Sequence, residues 1–342
     1  MTRTNNALTV LRHSIWILWL FSGLFFVSQL RAQTPPAERL PRELWIATIS
    51  QEGIETKSQN GIVEQMLTRM RQVLSSRPDF ICLPELFAQS HITDSVESVR
   101  VAAEQAPRLV IEPISHFSKQ NQCYVICPTY ILDKGKVYNS ALVFDRKGET
   151  IGRYDKMHPT VGEMALGVTP GELNQRVIET DEGKIGIQIC YDVEWHDGWE
   201  NLRSQGAEII FWPSAFSGGQ MLRSRAWESR ATIVSSTAKG ASRIYDCSGE
   251  QLVGTSLWKN VAIASINLER TFLPTWPSVR TFPEIENKYG RKIEIRTFPD
   301  EEWSILESRS PDVKVNDILK EFQLETLDAQ LLRSELRQRE LR

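Results

Sequence analysis

The sequence lacks a large excess of charge of either sign. Its 342 residues include 40 Lys and Arg against 43 Asp and Glu, a formal net charge of −3. Such a chain has no global field that would hold a polyanion, so nucleic acid is not an expected partner and small molecules are the expected ligands. Internal repeats and low-complexity tracts are also lacking. With 41% hydrophobic residues, the chain is long enough for one elaborate domain or two ordinary ones.

Cysteine is sparse, and its pattern excludes two classes of protein. Cys123 and Cys127 fall within one predicted strand, so their Cα atoms lie roughly 13 Å apart, too far for a disulfide. The total of five is odd and leaves at least one free thiol. No cysteine or histidine pair has the spacing of a zinc site. We therefore expect neither a disulfide scaffold nor a metal or other cofactor.

Long hydrophobic runs are lacking too, except near the N-terminus. The apolar run 15–27 has about 13 residues, too short to span a bilayer comfortably but suited to the core of a signal peptide. Arg3 and Arg12 precede it, and Ala32 offers a small residue for cleavage. We predict a signal peptide over 1–32, a linker over 33–43, and export to the periplasm or the extracellular space. An uncleaved, membrane-anchoring signal remains the alternative.

Strand-like and helix-like segments alternate after the linker, which predicts an α/β fold. The C-terminal part ends in an amphipathic helix marked by Val315, Ile318, Leu319 and Phe322, and leucines from 327 to 336 continue its pattern. We expect this tail to pack against the body of the protein or a partner subunit. The predicted strands are 44–49, 79–83, 123–129, 137–144, 149–154, 184–189, 207–212 and 262–266, and the predicted helices include 62–74, 107–119 and 223–233.

Three polar residues stand at or just beyond the ends of predicted strands: Glu85, Lys156 and Cys190. A free thiol has a pKa near 8.5 and needs a base or a nearby cation to attack at neutral pH. A carboxylate can take the thiol proton, pass it to a departing amine and then activate water. An ammonium can stabilise the oxyanion of the tetrahedral intermediate. Together these groups predict acyl transfer through a thioester.

The segments around these residues resemble those of the nitrilase superfamily, the carbon–nitrogen hydrolases. The matching motifs are DFICLPELF (79–87), YDKMHP (154–159) and GIQICYD (186–192), and the likeness runs roughly from 44 to 269. It implies a four-layer α-β-β-α sandwich with a C-terminal helical extension, and pairing into a homodimer or higher homo-oligomer. The predicted division is a carbon–nitrogen hydrolase domain over 44–270 and an extension over 271–342.

The resemblance also implies a role for each residue of the site. Glu85 is the general base and acid, Cys190 forms the thioester, and Lys156 supports the oxyanion together with the backbone N–H of Tyr191. Glu163 in the loop after the lysine is expected to orient Lys156 or the substrate amine. Residues expected to line the substrate pocket are Trp195, Trp212 and Ser214, although core packing is an equal alternative for the two tryptophans.

The residues after the nucleophile favour a branch of the superfamily. True nitrilases usually carry Trp-Glu there, whereas Tyr191-Asp192 is typical of enzymes acting on amides or carbamoyl compounds. A carboxylate at Glu194 would repel an anionic substrate. The expected function is therefore release of ammonia from a small amide or N-carbamoyl compound. The alternatives are acyl transfer to an amine, a non-catalytic exported binding protein, and a Cys–His protease using His158 or His196.

Overall fold

The computed structural model describes residues 40–91 and 98–342. The predicted signal peptide and most of the predicted linker lie outside these residues. The strands are β1 (Glu43–Ile49), β2 (Phe80–Cys82), β3 (Tyr124–Asp133), β4 (Lys136–Phe144), β5 (Thr150–Asp155), β6 (Ile178–Thr180), β7 (Gly183–Ile187), β8 (Ile209–Ser214), β9 (Thr232–Thr237), β10 (Arg243–Tyr245), β11 (Gln251–Gly254), β12 (Val261–Asn267), β13 (Arg270–Pro274), β14 (Ile293–Phe298) and β15 (Trp303–Ser308).

Helices alternate with these strands and are short. They are α1 (Gln59–Arg71), α2 (Val99–Ala106), α3 (Glu112–Asn121), α4 (Val161–Ala165), α5 (Asp197–Ser204), α6 (Gln220–Ser229), α7 (Thr275–Ser278), α8 (Phe282–Tyr289), α9 (Val315–Glu321) and α10 (Leu327–Leu341). A five-residue π-helical segment, Pro107–Ile111, joins α2 to α3.

Two six-stranded sheets form the centre of the molecule. The first has the order β12-β1-β2-β3-β4-β5 and the second β11-β10-β9-β8-β7-β6. The neighbours β1, β2 and β3 run parallel, as do β7, β8 and β9, and the outer strands are antiparallel. The carboxyl ends of parallel strands meet at one edge of a sheet. The loops leaving β2 and β7 therefore each begin at this edge of their own sheet.

The core has a layered arrangement. One cluster of apolar side chains lies between the sheets and combines residues such as Phe80 and Ile126 with Ile187 and Phe211. A second cluster covers the other face of the first sheet with side chains from α1 and α3, and a third covers the second sheet with side chains from α5 and α6. The result is the predicted α-β-β-α sandwich.

Local sequence explains where α1 begins and which face it buries. The Ser58 hydroxyl accepts a hydrogen bond from the backbone N–H of Gly61 and caps the helix. The side chains of Ile62, Val63, Met66 and Met70 recur at helical spacing and are buried against the first sheet.

Three predictions in the second half of the chain need correction. The helix predicted over 223–233 spans Gln220–Ser229; Arg230 ends it in a left-handed conformation, and the following β-branched residues begin β9. The tail is two helices rather than one, because Thr326 caps α10 separately. The extension also contains a three-stranded sheet, β13-β15-β14, where no strands were predicted.

Across the described part of the chain, none of the helices combines the length and the apolar character that a membrane span requires. All five cysteines fall within this part, and each is buried and free.

Candidate active site

Cys190 lies at a sharp turn directly beyond β7. Its φ of +48° is in the left-handed region, which a non-glycine residue seldom adopts outside turns and functional sites. The Trp212 indole N–H donates to the Cys190 carbonyl over 3.0 Å and holds this turn against β8. The Ser214 hydroxyl and the Ala215 backbone N–H lie close enough to the thiol to favour its ionised form. The turn therefore fixes the direction of the sulfur.

Glu85 and Lys156 form a buried ion pair next to this thiol. The Lys156 Nζ donates to Glu85 Oε1 over 2.8 Å, and both side chains are almost fully buried. Their charges act on Cys190 in opposite directions, since the carboxylate disfavours and the ammonium favours the thiolate. The three residues predicted from strand ends thus lie within electrostatic reach of one another, although 71 residues separate Glu85 from Lys156.

Glu163 is the second carboxylate on the same ammonium. It accepts from Lys156 Nζ through Oε2 at 2.8 Å and Oε1 at 3.0 Å. Its position is set by a capping box at the start of α4, in which Thr160 Oγ1 accepts from the Glu163 N–H and Glu163 Oε2 accepts from the Thr160 N–H. Glu163 is therefore not an unattached loop carboxylate.

The loop that carries Lys156 is fastened along β4. The Lys156 N–H donates to the Asn139 carbonyl over 2.8 Å, and the Thr169 N–H donates to the Val137 carbonyl over 2.7 Å. The Gly171 N–H returns to the Lys156 carbonyl and closes the loop. An added Cβ at Gly171 would lie 2.3 Å from the Asp155 carbonyl oxygen, so only glycine allows this close approach.

The pKa shifts follow from burial and this charge arrangement. Burial, and then the Glu85 charge, raises the pKa of the Cys190 thiol to about 12. Burial alone would lower the pKa of Lys156, but the charges around it, beginning with Glu85, raise it overall. Burial opposes ionisation of Glu163, but Lys156 lowers its pKa. The resting site therefore holds a neutral thiol, a permanent ammonium and an ionised Glu163.

Asp192 joins the two loops of the site and was not singled out by the sequence analysis. It is fully buried, and its Oδ2 accepts from the Ile189 N–H at 2.8 Å and from the Tyr154 hydroxyl at 2.7 Å. Its Oδ1 accepts from the His158 N–H at 2.8 Å. Asp192 thus ties the turn before Cys190 to both sides of Lys156. Its position two residues after the nucleophile was the available signal.

Asn139 is the other residue missed from the sequence. Its side chain is fully buried and its Nδ2 donates to Glu85 Oε1 and to Glu163 Oε1, each over 2.8 Å. The signal for it was an amide within the mostly apolar strand 137–144.

The predicted pocket residues lie in different surroundings. Trp195 is half-buried, stacks on the His158 ring at 4.4 Å, and meets the exposed Tyr191 ring edge-on at 4.8 Å. Trp212 and Ser214 are fully buried and contact the Cys190 segment from behind. Trp212 therefore has a packing and positioning environment, whereas Trp195 lies nearer the surface. Their binding of a substrate remains a prediction, as does the role of the Tyr191 N–H.

Both histidines near the site are already engaged. The His158 ring places Nδ1 3.2 Å from Asp192 and Nε2 3.3 Å from Asp197. The His196 Nδ1 lies 2.7 Å from a guanidinium nitrogen of Arg225. Neither arrangement provides a base for the thiol, so the Cys–His protease alternative gains no support. Over residues 40–91 and 98–342, His, Cys, Asp and Glu side chains form no group suited to hold a metal ion.

Comparison with known proteins gives a family match and several relatives. The model of the carbon-nitrogen hydrolase family matches residues 46–272. A probable hydrolase of Bacillus subtilis is 32% identical over 151 residues, which are 40% of this chain and 28% of that protein. The omega-amidase of Saccharomyces cerevisiae is 23% identical over 239 residues, which are 64% of this chain and 82% of that protein. The matched residues make up 28% of the Bacillus hydrolase and 26% of a Drosophila melanogaster fusion protein. The chain therefore spans about a quarter of each of these two relatives.

Solved structures share the fold. A carbon–nitrogen hydrolase from Helicobacter pylori superposes with a TM-score of 0.59 at 21% identity, covering 73% of this chain and 94% of that chain. An amidase from Nesterenkonia sp., as a double mutant in complex with acrylamide, superposes with a TM-score of 0.58 at 16% identity, covering 66% and 91%. At such low identity these structures establish the α/β architecture alone.

Proposed function

The chain belongs to the carbon–nitrogen hydrolase family of the nitrilase superfamily, and on this basis we propose that it releases ammonia from a small amide or N-carbamoyl compound through a thioester on Cys190. The observation that carries the proposal is the buried ammonium of Lys156, held between two carboxylates, with its charge and that of Glu85 both acting on one thiol. Acylation and hydrolysis at a carbonyl need this set of groups.

The pKa directions assign the groups to different tasks. Because the pKa of Lys156 is raised, this side chain stays protonated and cannot serve as the base. Because the pKa of Cys190 is raised to about 12, the resting thiol must lose its proton as it attacks. Glu163 is engaged by Lys156, Asn139 and the Thr160 N–H. Glu85 also bonds Lys156 and Asn139, but through Oε1 in both cases, and its Oε2 is the oxygen that takes the proton.

Acylation then proceeds as follows. The Cys190 sulfur bonds to the substrate carbonyl carbon while its proton passes to Glu85. The carbonyl oxygen becomes an oxyanion, which the Lys156 ammonium and the Tyr191 backbone N–H stabilise. Glu85 returns the proton to the amide nitrogen, the C–N bond breaks, and ammonia leaves. The remaining acyl group is a thioester on Cys190.

Hydrolysis reverses the direction of proton transfer. Glu85 takes a proton from water, and the resulting hydroxide bonds to the thioester carbon. The second oxyanion collapses, the C–S bond breaks, and the proton returns to the sulfur. The acid product departs, and a carbamate formed from an N-carbamoyl substrate loses carbon dioxide.

The charges around the site favour an uncharged substrate. Among the described residues, Lys156 is the basic side chain that bonds Glu85 and Glu163. Its charge is therefore already surrounded by these two carboxylates. Glu194, four residues beyond the nucleophile, is exposed. An anionic substrate would find repulsion without a free cation to offset it.

The test is an ammonia-release assay of the wild-type protein and Cys190→Ala against uncharged aliphatic amides, uncharged N-carbamoyl compounds and nitriles. We expect turnover of an amide or carbamoyl compound by the wild type, none by the variant, and equal thermal melting of both. Mass spectrometry of the quenched reaction should find the acyl group on Cys190. Retained activity in Cys190→Ala would refute the mechanism, and turnover of nitriles alone would refute the substrate class.

Export is part of the same proposal. The basic start, the apolar run and the small residue at 32 support a signal peptide, and fractionation of cells producing the full chain tests it. Recovery of the unprocessed chain from the cytoplasm would contradict it.

A further inference from the structure

Asn139 bonds both carboxylates of the proposed site through its side chain and the backbone of Lys156 through its carbonyl. Its two side-chain N–H groups go to different carboxylates, one to Glu85 and one to Glu163, each at 2.8 Å. Its backbone carbonyl accepts from the backbone N–H of Lys156. The partners are 54, 24 and 17 residues away in sequence, yet one strand residue holds all three. No other side chain of the described site bridges both carboxylates apart from Lys156 itself.

The orientation of this amide follows from its partners. A carboxamide turned the other way would direct its oxygen at two carboxylate oxygens, which is repulsive unless both carboxyl groups are protonated. With Nδ2 toward them, Asn139 donates most strongly to their ionised forms. Its Oδ1 is buried without a hydrogen-bond partner, so this orientation leaves an acceptor unsatisfied. The two charge-assisted bonds offset that cost.

We propose that Asn139 is a positioning residue that holds Glu85 and Glu163 at fixed distances from Lys156, so that Glu85 is placed to accept the thiol proton. This inference rests on the proposed function. Lys156 alone does not fix the positions of the two carboxylates, because its single ammonium can turn toward either of them. The Asn139 amide fixes Oε1 of Glu85 and Oε1 of Glu163 with directional N–H groups and adds no charge. When Glu85 takes the proton, the hydrogen bond from Asn139 weakens, which favours return of the proton to the leaving amine.

The titratable groups around Asn139 and its two carboxylates come from five segments. They are Glu85 after β2, Tyr130 on β3, Lys156 after β5, Glu163 on α4 and Cys190 after β7. Tyr130 lies directly opposite Asn139 in the strand register, and burial together with the Glu163 and Glu85 charges raises its pKa. Tyr130 therefore stays neutral, and loss of the Asn139 donors leaves the two carboxylates with Lys156 as their shared partner.

The experiment compares pH profiles of kcat/KM for the wild type, Asn139→Ala and Asn139→Asp. The acid limb reports protonation of the essential base in the free enzyme. Removing donors to the ionised form makes protonation easier, so the limb should move up by about one pH unit in Asn139→Ala. Asn139→Asp keeps the volume of the side chain and adds a third acid, so its limb should move at least as far.

Ser140→Ala is the matched control. Ser140 is the next residue of β4, is equally buried, and donates to the carboxylate of Asp155 outside the cluster. Its loss should leave the acid limb in place. An unmoved limb in both folded Asn139 variants overturns the inference, as does an equal shift in Ser140→Ala.

A second readout does not depend on turnover. The rate at which iodoacetamide alkylates Cys190, followed by intact mass with Cys190→Ala as the blank, should rise with pH along a profile displaced in the same direction by Asn139→Ala. If the wild type hydrolyses no amide, the proposed function fails while this profile still decides the role of Asn139. An undisplaced alkylation profile counts against that role.

Discussion

Two buried cysteines of this chain lie beside buried ion pairs. Cys190 adjoins the pair of Lys156 and Glu85, and Cys247 directly follows Asp246, which binds two arginines. Burial is the first cause in both cases, and it raises the pKa of each thiol to about 12. Thiol acidity in the resting protein therefore does not distinguish a reactive site from an inert one.

The balance of charge does distinguish them. Asp246 accepts from Arg270 at 2.7 Å and from Arg296 at 2.6 Å, so one carboxylate meets two guanidinium groups that cannot lose their protons. Around Lys156 the count is reversed, with one ammonium between two carboxylates. A surplus carboxylate can accept a proton, whereas a carboxylate outnumbered by arginines stays ionised throughout. Only the cluster at Lys156 is arranged for proton transfer.

Access differs as well. Cys190 retains 7% exposure at a left-handed turn beyond a strand, whereas Cys247 is completely enclosed. The Asp246 cluster joins β13 and β14 of the C-terminal sheet to the loop after β10, and Arg270 also donates to Thr232 on β9. The Asp246 cluster therefore links the C-terminal sheet to the second six-stranded sheet. A buried ion pair beside a thiol indicates a reactive site when the pair includes a surplus carboxylate that can accept a proton and when the thiol is partly exposed.

The largest effect we expect is from Glu85→Gln. The amide keeps the size of the side chain but cannot take a proton, so kcat/KM should fall by about 10²–10⁴. Lys156 retains Glu163 as a partner, so the variant should remain folded by circular dichroism. A steady-state assay of ammonia release checks the prediction. Glu85→Gln with the activity of the wild type would place the base elsewhere and remove the contrast with Asp246.

Asp246→Asn should show the opposite pattern. It removes the carboxylate that bonds the buried guanidinium of Arg270 and leaves the partly exposed Arg296 with Glu250 at 3.6 Å, and breaking a buried pair of this kind costs about 3–5 kcal/mol in the free energy of unfolding. The kcat/KM per folded molecule should be unchanged. Urea denaturation and an assay on the folded fraction measure the two quantities. Reduced kcat/KM with normal stability would show that this cluster serves the reaction.

The same variant has a pH signature. Burial alone would raise the pKa of Asp246, but Arg270 and Arg296 hold it below the ordinary value of 3.8. The resulting stabilisation is complete above pH 3.8 and is lost as the pH falls toward the lower, folded-state pKa. Asp246→Asn should therefore lose less stability than the wild type on acidification. A parallel acid-side decline in both proteins would contradict the assignment.

Local pattern predicted much of the architecture, because the apolar run 79–83 and the alternating segment 184–189 correspond to the parallel strands β2 and β7. The boundary of α6 could not be predicted, since it depends on Arg230 adopting a left-handed conformation that is common only for glycine and asparagine. The C-terminal sheet was missed because its strands are short and β14 is mostly half-buried, which weakens any alternation of apolar and polar residues.

The site shows a similar limit. Strand ends and motif context predicted that Glu85, Lys156 and Cys190 would converge, and the structure brings them together; their catalytic roles stay predictions. The roles of Asn139 and Asp192 were not predicted, because they depend on contacts across 54 and 38 residues. The first contact is set by strand register within one sheet, and the second by the packing of one sheet on the other. Sequence spacing carries no direct record of that register.

Asp192→Asn should have a smaller effect that sharpens the comparison further. Asp192 resembles Asp246 as a buried carboxylate with several donors, but its donors belong to the two loops of the site. Replacing one oxygen by an NH₂ group loosens the link between the Cys190 turn and the Lys156 loop. Misplacement of this kind should lower kcat/KM roughly tenfold with little change in KM.

Asp197→Asn is the control that separates position from charge. The hydrogen bond with Asp192 is the main reason that the pKa of His158 is raised, and Asp197 contributes from the other ring nitrogen. Both variants should therefore lower the pKa of His158, measured by NMR titration with the signal assigned from His158→Gln. Stability linked to this protonation is present below pH 6.5 and is lost as the pH rises through the higher, folded-state pKa.

Asp197 is half-exposed and has no bond to Ile189 or Tyr154, so its loss should leave kcat/KM almost unchanged. An equal fall in kcat/KM for both variants would mean that the charge of His158, rather than the link through Asp192, supports the reaction.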